Sequence, residues 1–469
     1  MKKAILSLLV FCPLLVLAQN ASKPNIIFIL ADDLGYSELG CYGNKFNETP
    51  NLDRLASKGI RFTNFYAAAP VCSPYRTALM TGQYPARVGI IDYLRPKAAD
   101  HLDTAHYTLA EMMRDNGYHT GIVGKWHLSG YKKNGAPNET LPDKHGFQEV
   151  LISENQGISV GPYWYPYQFN LDVPKKMNVE HEFLTDRQNL EALEFIDRNK
   201  TRPFFLYLSH YAVHTWSTGK PELVDHFRKK TGAGKSPVSG DNKGNDPYKN
   251  WPEDVRATTN NPHLAAQLFS IDEGVGLIQK KLKELGLDKN TIIIFTSDNG
   301  GETRITTNAP LRGGKSMLYE GGVREPMIVY NPQFSAKSRT ETARLVNLDF
   351  YPTFMELTMA KPNSQKLDGF SFAKLLQSPK YKMPERTFYW HYPLAEPHFL
   401  GGRSAGSILK GDWKLIEYFD DNSTELFNLK IDPSETVNLY TKYPEKVTEL
   451  SKDLKEWRIR VGASNTARD

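Results

Sequence analysis

The sequence predicts an α/β fold: a large mixed, mostly parallel sheet flanked by helices, followed by a smaller C-terminal α+β subdomain that carries an antiparallel sheet. Three observations support this. From Lys23 to about Lys361, short apolar runs alternate with amphipathic stretches, as strands and helices laid down in turn should. After Asp368-Gly369 the pattern changes to closely spaced short strands and one terminal helix. The chain of 469 residues also exceeds what a single apolar core usually supports. The expected division is a leader over 1–18, the large domain over 19–365 and the smaller subdomain over 366–469.

Lys2 and Lys3 precede an apolar run from Ala4 to Leu17, which ends at the small residues Val16 and Ala18. That is the layout of a secretory signal cut after Ala18. The run falls short of the ~20 residues a membrane span needs and contains Pro13, so stable membrane insertion is not expected. An exported protein, periplasmic or secreted, is. The net charge of +5 falls to +3 once Lys2 and Lys3 are removed, too little to attract a nucleic acid. Cys12 leaves with the leader, and Cys41 and Cys72 remain, as a disulfide or as two thiols.

In chain order, 25–30 reads as a first strand. Residues 49–58 read as a helix with Thr49 as cap, Pro50 in the first turn and Gly59 as the stop. A helical run begins at Cys72-Ser73-Pro74 and ends at Gly82. Thr108 and Glu111 have capping-box spacing, and a strand follows at 121–123. Residues 184–199 and 264–285 carry apolar side chains at helical spacing, as in Leu264, Leu268, Ile271, Val275, Ile278 and Leu282. The continuous apolar runs 204–208 and 291–296 read as buried central strands. The Lys-, Gly-, Asn- and Pro-rich stretch 227–254 reads as a surface insertion. Residues 387–391, 407–409, 413–419 and 425–429 read as the antiparallel strands, and 444–461 as the closing helix.

The chemistry-bearing residues fall at strand ends, where open α/β sheets place ligands. Asp32 and Asp33 follow the first strand, and Asp298 and Asn299 follow 291–296. Four oxygen-bearing side chains without nearby Cys or clustered His suit a hard divalent cation, calcium rather than zinc. Lys125-Trp126-His127 follows 121–123, His210 and His214 follow 204–208, and Lys315 ends the loop Leu311-Arg312-Gly313-Gly314-Lys315. Cys72 opens a helix, whose N-terminal amides favour an anion.

Cys72-Ser73-Pro74-Tyr75-Arg76 has the C-x-P-x-R pattern in which a cysteine is converted to Cα-formylglycine. With the other clusters in the same chain order, nearly all of the mature sequence resembles the type I sulfatases of the alkaline-phosphatase-like superfamily. The resemblance implies that Asp32, Asp33, Asp298 and Asn299 ligate calcium together with the formylglycine made from Cys72. It further implies that Arg76 holds the modified side chain, that Lys125 and Lys315 contact sulfate oxygens, and that His127 and His214 handle protons. One hydroxyl of the aldehyde hydrate would attack sulfur as the alcohol leaves with a proton from His214 or Lys315. His127 would then deprotonate the second hydroxyl to expel sulfate.

Ser153, His181, Arg312, His391, His398 and Arg403 are candidate substrate contacts, and Trp390, Tyr392 and Phe399 are candidate sugar platforms. The resemblance to bacterial carbohydrate sulfatases implies a sulfated, galactose-type sugar of mucin, glycosaminoglycan or algal glycan as substrate. It also implies a maturase that acts on Cys72 before folding. A formylglycine-dependent phosphodiesterase or phosphonate hydrolase, and a binder of sulfated glycans that keeps Cys72 as a thiol, are the two alternative readings.

Overall fold

The computed structural model describes residues 23–158, 161, 163–235, 253–334 and 338–463. The leader and most of the 227–254 insertion lie outside the described residues. Nine strands form the main sheet: β1 (Asn25–Ala31), β2 (Ile60–Tyr66), β3 (His119–Gly124), β4 (Glu149–Leu151), β5 (Phe204–Ser209), β6 (Thr291–Ser297), β7 (Arg324–Tyr330), β8 (Arg339–Glu341) and β9 (Leu345–Val346). Their order is β4-β3-β5-β1-β6-β7-β2-β8, with β9 also on β2. All pairings are parallel except those of β7, which is antiparallel to both β6 and β2.

The central strands are apolar on both faces because helices cover both. Ile26, Phe28 and Leu30 point into one layer with Tyr75, Leu79, Met112, Met113, Phe350 and Phe354. Ile27, Ile29 and Ala31 point into the other, beneath Leu52, Phe195, Leu264, Leu268 and Ile271. The helices run where their spacing places them, at Pro50–Lys58, Cys72–Thr81, Leu109–Asp115, Leu184–Arg198 and Pro262–Glu284. Thr108 and Glu111 form the expected capping box. Thr49 caps only by position: its hydroxyl donates to Asp53 Oδ1 at 3.1 Å and accepts from the Gly40 amide at 2.9 Å.

The second sheet is antiparallel, in the order β10 (Phe388–Tyr392), β11 (Ala405–Lys410), β12 (Trp413–Tyr418) and β13 (Thr424–Asn428). It packs on the terminal helix Pro444–Val461 through Leu450, Leu454, Trp457 and Val461. Phe372, Leu375 and Leu376, which follow the 365/366 division, sit in the core layer of the large domain with Phe350 and Phe354. Cys41 and Cys72 are free thiols. Among the described residues no helix is long and apolar enough to cross a membrane.

Candidate active site

Register brings the carboxyl ends of four strands level. Leu30 pairs with Ser209, Ser209 with Gly124, and Ala31 with Ser297. The residues that follow, Lys125 to His127, His210 to His214, Asp32-Asp33 and Asp298-Asn299, therefore emerge side by side. The antiparallel β7 starts at this same edge, so the chain between β6 and β7 loops over it and carries Lys315. Gly300 makes the close approach possible: a Cβ there would lie 1.8 Å from the Gly321 carbonyl oxygen.

The Cys72–Thr81 helix delivers its first residue into this edge. Cys72 Sγ lies 3.4 Å from Asp32 Oδ1 and 3.9 Å from Asp33 Oδ1. Ligand atoms of Asp32, Asp33, Cys72 and Asp298, all buried, lie within 4.8 Å of one another. Three cations hold the carboxylates. Lys125 Nζ donates to Asp32 Oδ2 at 2.6 Å, Lys315 Nζ to Asp33 Oδ2 at 2.7 Å, and Arg76 Nη2 to Asp298 Oδ2 at 2.9 Å. Arg76 is fixed further by donating to the Lys125 carbonyl and the Ser209 hydroxyl, at 2.9 and 2.6 Å. Asn299 Nδ2 donates to Asp33 Oδ1 at 2.8 Å, while Asn299 Oδ1 is buried without a hydrogen-bond partner among the described residues.

Burial and the Asp32 charge push Asp298 up to about 7. For Asp33 burial acts in the same sense, but Lys315, His214 and Lys125 outweigh it and hold the carboxyl below its usual range. Burial, then Asp32, pushes the Cys72 thiol well above its ordinary value, so the unmodified side chain is a poor nucleophile. Burial also lowers both lysines, yet Asp32 and Asp33 respectively hold Lys125 and Lys315 above the usual range.

His127 and His214 are neutral for the opposite reason, burial without a sufficient counter-charge: His127 falls well below its ordinary value and His214 to about 3. Their backbone contacts assign the tautomers. His127 Nε2 lies 2.8 Å from the Leu94 carbonyl, so its lone pair is on Nδ1, which has no partner among the described residues. His214 Nδ1 lies 2.8 Å from the Thr215 carbonyl, and its Nε2 is 3.7 Å from Asp33 Oδ2. His210 is buried with neither ring nitrogen hydrogen-bonded among the described residues.

Six further candidates have other surroundings. Ser153 donates its hydroxyl to the Gly124 carbonyl beneath the site. His181 is exposed, edge-on to Trp164 at 6.1 Å. Arg312 donates to the Glu435 carbonyl at 2.9 Å and stacks over Tyr319. Arg403 is forked onto Asp420 at 2.9 and 2.6 Å, and His391 is buried against Phe419. His398 is largely buried, and burial and then Lys315 lower it to about 4.

Glu154 had no signal in the sequence. Its buried carboxylate accepts from the amides of Trp126 at 3.1 Å and His127 at 2.6 Å, and from the hydroxyls of Tyr131 at 3.2 Å and Tyr211 at 2.6 Å. It thereby anchors the turn at His127, whose φ of 54° lies in the left-handed region.

Residues 24–360 match the sulfatase family model, and 314–461 match that of the N-sulphoglucosamine sulphohydrolase C-terminal region. Human arylsulfatase A is 32% identical over 94% of this chain and 88% of its own length. Mouse N-acetylgalactosamine-6-sulfatase is 30% identical over 94% of this chain and 82% of its own. The crystal structure of Ps i-CgsB superposes with a TM-score of 0.76 at 29% identity, covering 93% of both chains. The same protein complexed with k-i-k-neocarrahexaose gives 0.75, also at 29% identity and 93% of both chains. The chain belongs to the sulfatase family and is a sulfuric ester hydrolase.

Proposed function

We propose that this protein is an exported, calcium-dependent sulfatase that hydrolyses sulfate monoesters on galactose-type sugars of mucin, glycosaminoglycan or algal glycans, with a formylglycine made from Cys72. The observation that carries this reading is the meeting of Cys72 with three carboxylates and three cations at one sheet edge. The donor set fits calcium. Two ligand atoms each about 2.3–2.6 Å from one ion lie at most about 5.2 Å apart, and those of Asp32, Asp33, Asp298 and Cys72 all lie within 4.8 Å of one another; Asn299 Oδ1, buried without a hydrogen-bond partner among the described residues, is a further hard oxygen. Calcium held there would acidify the nucleophilic hydroxyl and neutralise charge on the sulfate.

The remaining work falls to side chains of this chain. Lys125 and Lys315 are buried ammoniums able to turn from Asp32 and Asp33 to sulfate oxygens. Lys315 carries a proton for the departing alcohol, whereas His214 is neutral, with its Nε2 3.7 Å from Asp33 Oδ2. His127 offers the Nδ1 lone pair as base. Conversion of Cys72 before folding is supported by its burial, with 1% of its surface exposed. The galactose-type assignment is supported by the 29% identical carbohydrate complex and by the 30% identical relative named for N-acetylgalactosamine 6-sulfate.

Protein produced with a formylglycine-generating maturase should yield a Cys72 peptide lighter than the cysteine form and release sulfate from galactose-type sugar sulfates. Chelation should abolish that turnover, and calcium should restore it. Full turnover with an intact Cys72 thiol, or a strong preference for phosphate diesters, would sink the proposal.

A further inference from the structure

The helix that delivers Cys72 also carries a buried hydroxyl that serves another loop. Ser73, the second residue of Cys72–Thr81, is fully buried. Its hydroxyl oxygen accepts the amide of Leu94, 21 residues further on, at 2.9 Å. The carbonyl of the same Leu94 accepts His127 Nε2 at 2.8 Å, across another 33 residues. Leu94 buries its side chain in the layer that holds Tyr75, Leu79 and Trp126, and its backbone is a bridge with one foot beside the nucleophile and the other on the base. No helix or strand ladder holds residues 93–95, which leaves these two hydrogen bonds to fix the bridge locally. Farther out the loop is tied at Asp92, whose Oδ1 accepts from the Tyr392 hydroxyl at 3.2 Å, and at Pro96, whose carbonyl accepts the Tyr131 amide at 2.9 Å.

His127 is held at two points. Its amide donates to Glu154 and fixes the backbone, but that contact leaves the ring free to turn about its side-chain bonds. The Leu94 carbonyl stops the ring and keeps the proton on Nε2, so that Nδ1 carries the lone pair. Where that carbonyl lies depends on the neighbouring peptide, whose amide donates to Ser73. A buried amide deprived of its acceptor is costly and moves towards another partner, and turning it swings the adjoining carbonyl away from the ring. A serine kept only to satisfy a buried amide would stabilise the loop and do no more. Here the same link ends on the group that takes the proton.

We propose that Ser73 is a positioning residue: through the Leu94 backbone it sets the orientation and tautomer of the His127 ring relative to the nucleophile at residue 72. This rests on the reading of His127 as a base given above and adds how the chain aims it. The first measurement needs neither calcium nor formylglycine. In protein with Cys72 unmodified and its histidines isotope-labelled, the His127 ring signals in NMR, assigned by their loss in His127→Gln, should show the proton fixed on Nε2. Ser73→Ala should mix the two tautomers, and Ser73→Thr, which keeps the oxygen, should retain the parental signals. Ser73→Cys, held reduced, puts a far weaker acceptor in the same place and gives the reading if Ser73→Ala does not fold. Parental His127 signals in a folded variant that lacks the oxygen, or mixed tautomers in Ser73→Thr, overturn the proposal. The second measurement follows N-acetylgalactosamine 6-sulfate in matured enzyme, with formylglycine verified by mass in each variant. Ser73→Ala should cut kcat about 10- to 100-fold with KM little changed. It should also release one equivalent of desulfated sugar before free sulfate appears, because the base acts in the second step. Equal slowing of both products alongside mixed tautomers keeps the positioning role and overturns instead the reading of His127 as the second-step base. Failure of the parent enzyme on this sugar overturns the substrate assignment, and the tautomer signals alone then decide on Ser73.

Discussion

Lys125 and Lys414 are both fully buried ammoniums held by carboxylates, yet their surroundings differ in what is left over. Lys414 sits under the smaller subdomain between Glu320 and Glu435, each at 2.9 Å. Tyr66 donates to Glu320 at 3.0 Å, and the Glu320 amide donates to Glu435 at 2.7 Å. Burial and the Glu320 charge raise Glu435, while Lys414 and Arg324 overcome burial to lower Glu320. One carboxylate is thus charged and the other drawn towards neutrality, which matches a single lysine. Around Lys125, three carboxylates and three cations crowd one another, and Asn299 Oδ1 and His127 Nδ1 have no hydrogen-bond partner among the described residues. Buried charge alone does not mark a site. The difference is that Glu435 Oε1 still faces Lys414 at 2.9 Å, whereas the Asn299 oxygen and the His127 nitrogen face no cation that any contact records.

The contrast can be broken most directly by substitution on each side. Asp298→Asn should lower kcat by at least about 10³-fold while the protein still unfolds cooperatively. Lys414→Met should do the reverse, costing about 3–5 kcal/mol in urea denaturation by leaving two buried carboxylates without their cation, with the kcat of the folded fraction kept. Retained activity in Asp298→Asn, or loss of kcat in folded Lys414→Met, would merge the two clusters into one kind.

A smaller effect is expected from pH, with opposite signs in the two regions. Burial depresses His210 from 6.5 to about 3. Its contribution to stability is complete above pH 6.5 and is lost as pH falls towards 3, because the unfolded chain binds the proton first. Glu435 is raised above its ordinary 4.5, so its contribution is present below pH 4.5 and fades as pH rises beyond it. Denaturation midpoints across pH should show His210→Asn flattening the acid limb and Glu435→Gln flattening the limb above pH 4.5. Swapped or absent effects would show that these groups do not titrate as their surroundings dictate. Glu154→Gln gives the smallest change, an about 10- to 100-fold loss of kcat with little change in KM, read by steady-state kinetics. An altered KM at constant kcat would assign Glu154 to binding instead.

Much of the site was legible because its parts follow strands. A run such as Thr291 to Thr296 announces a buried strand, so the polar pair after it has a known destination. Chain order and the cysteine pattern did the rest. Residues whose partners are backbone atoms in distant loops gave no such signal. Glu154 serves the amides of Trp126 and His127, and nothing local separates it from a turn residue. Tyr93 and Arg95 share a cavity with residues 393–399, some three hundred positions later in the chain, which no local pattern in either stretch announces. Arg312 and Arg403 looked equally available in sequence, but Glu435, Asp420 and Asp421 already engage them. The division at 365/366 tracked a change in strand spacing, whereas Phe372 and Leu376 follow the apolar layer they fill.

The reversed direction of β7 has one more consequence. Because that strand departs from the rim at which β6 arrives, the intervening segment is pinned at both feet to the same spot. With both ends fixed there, the loop holds Lys315 Nζ 2.7 Å from Asp33 Oδ2 although neither strand carries the lysine.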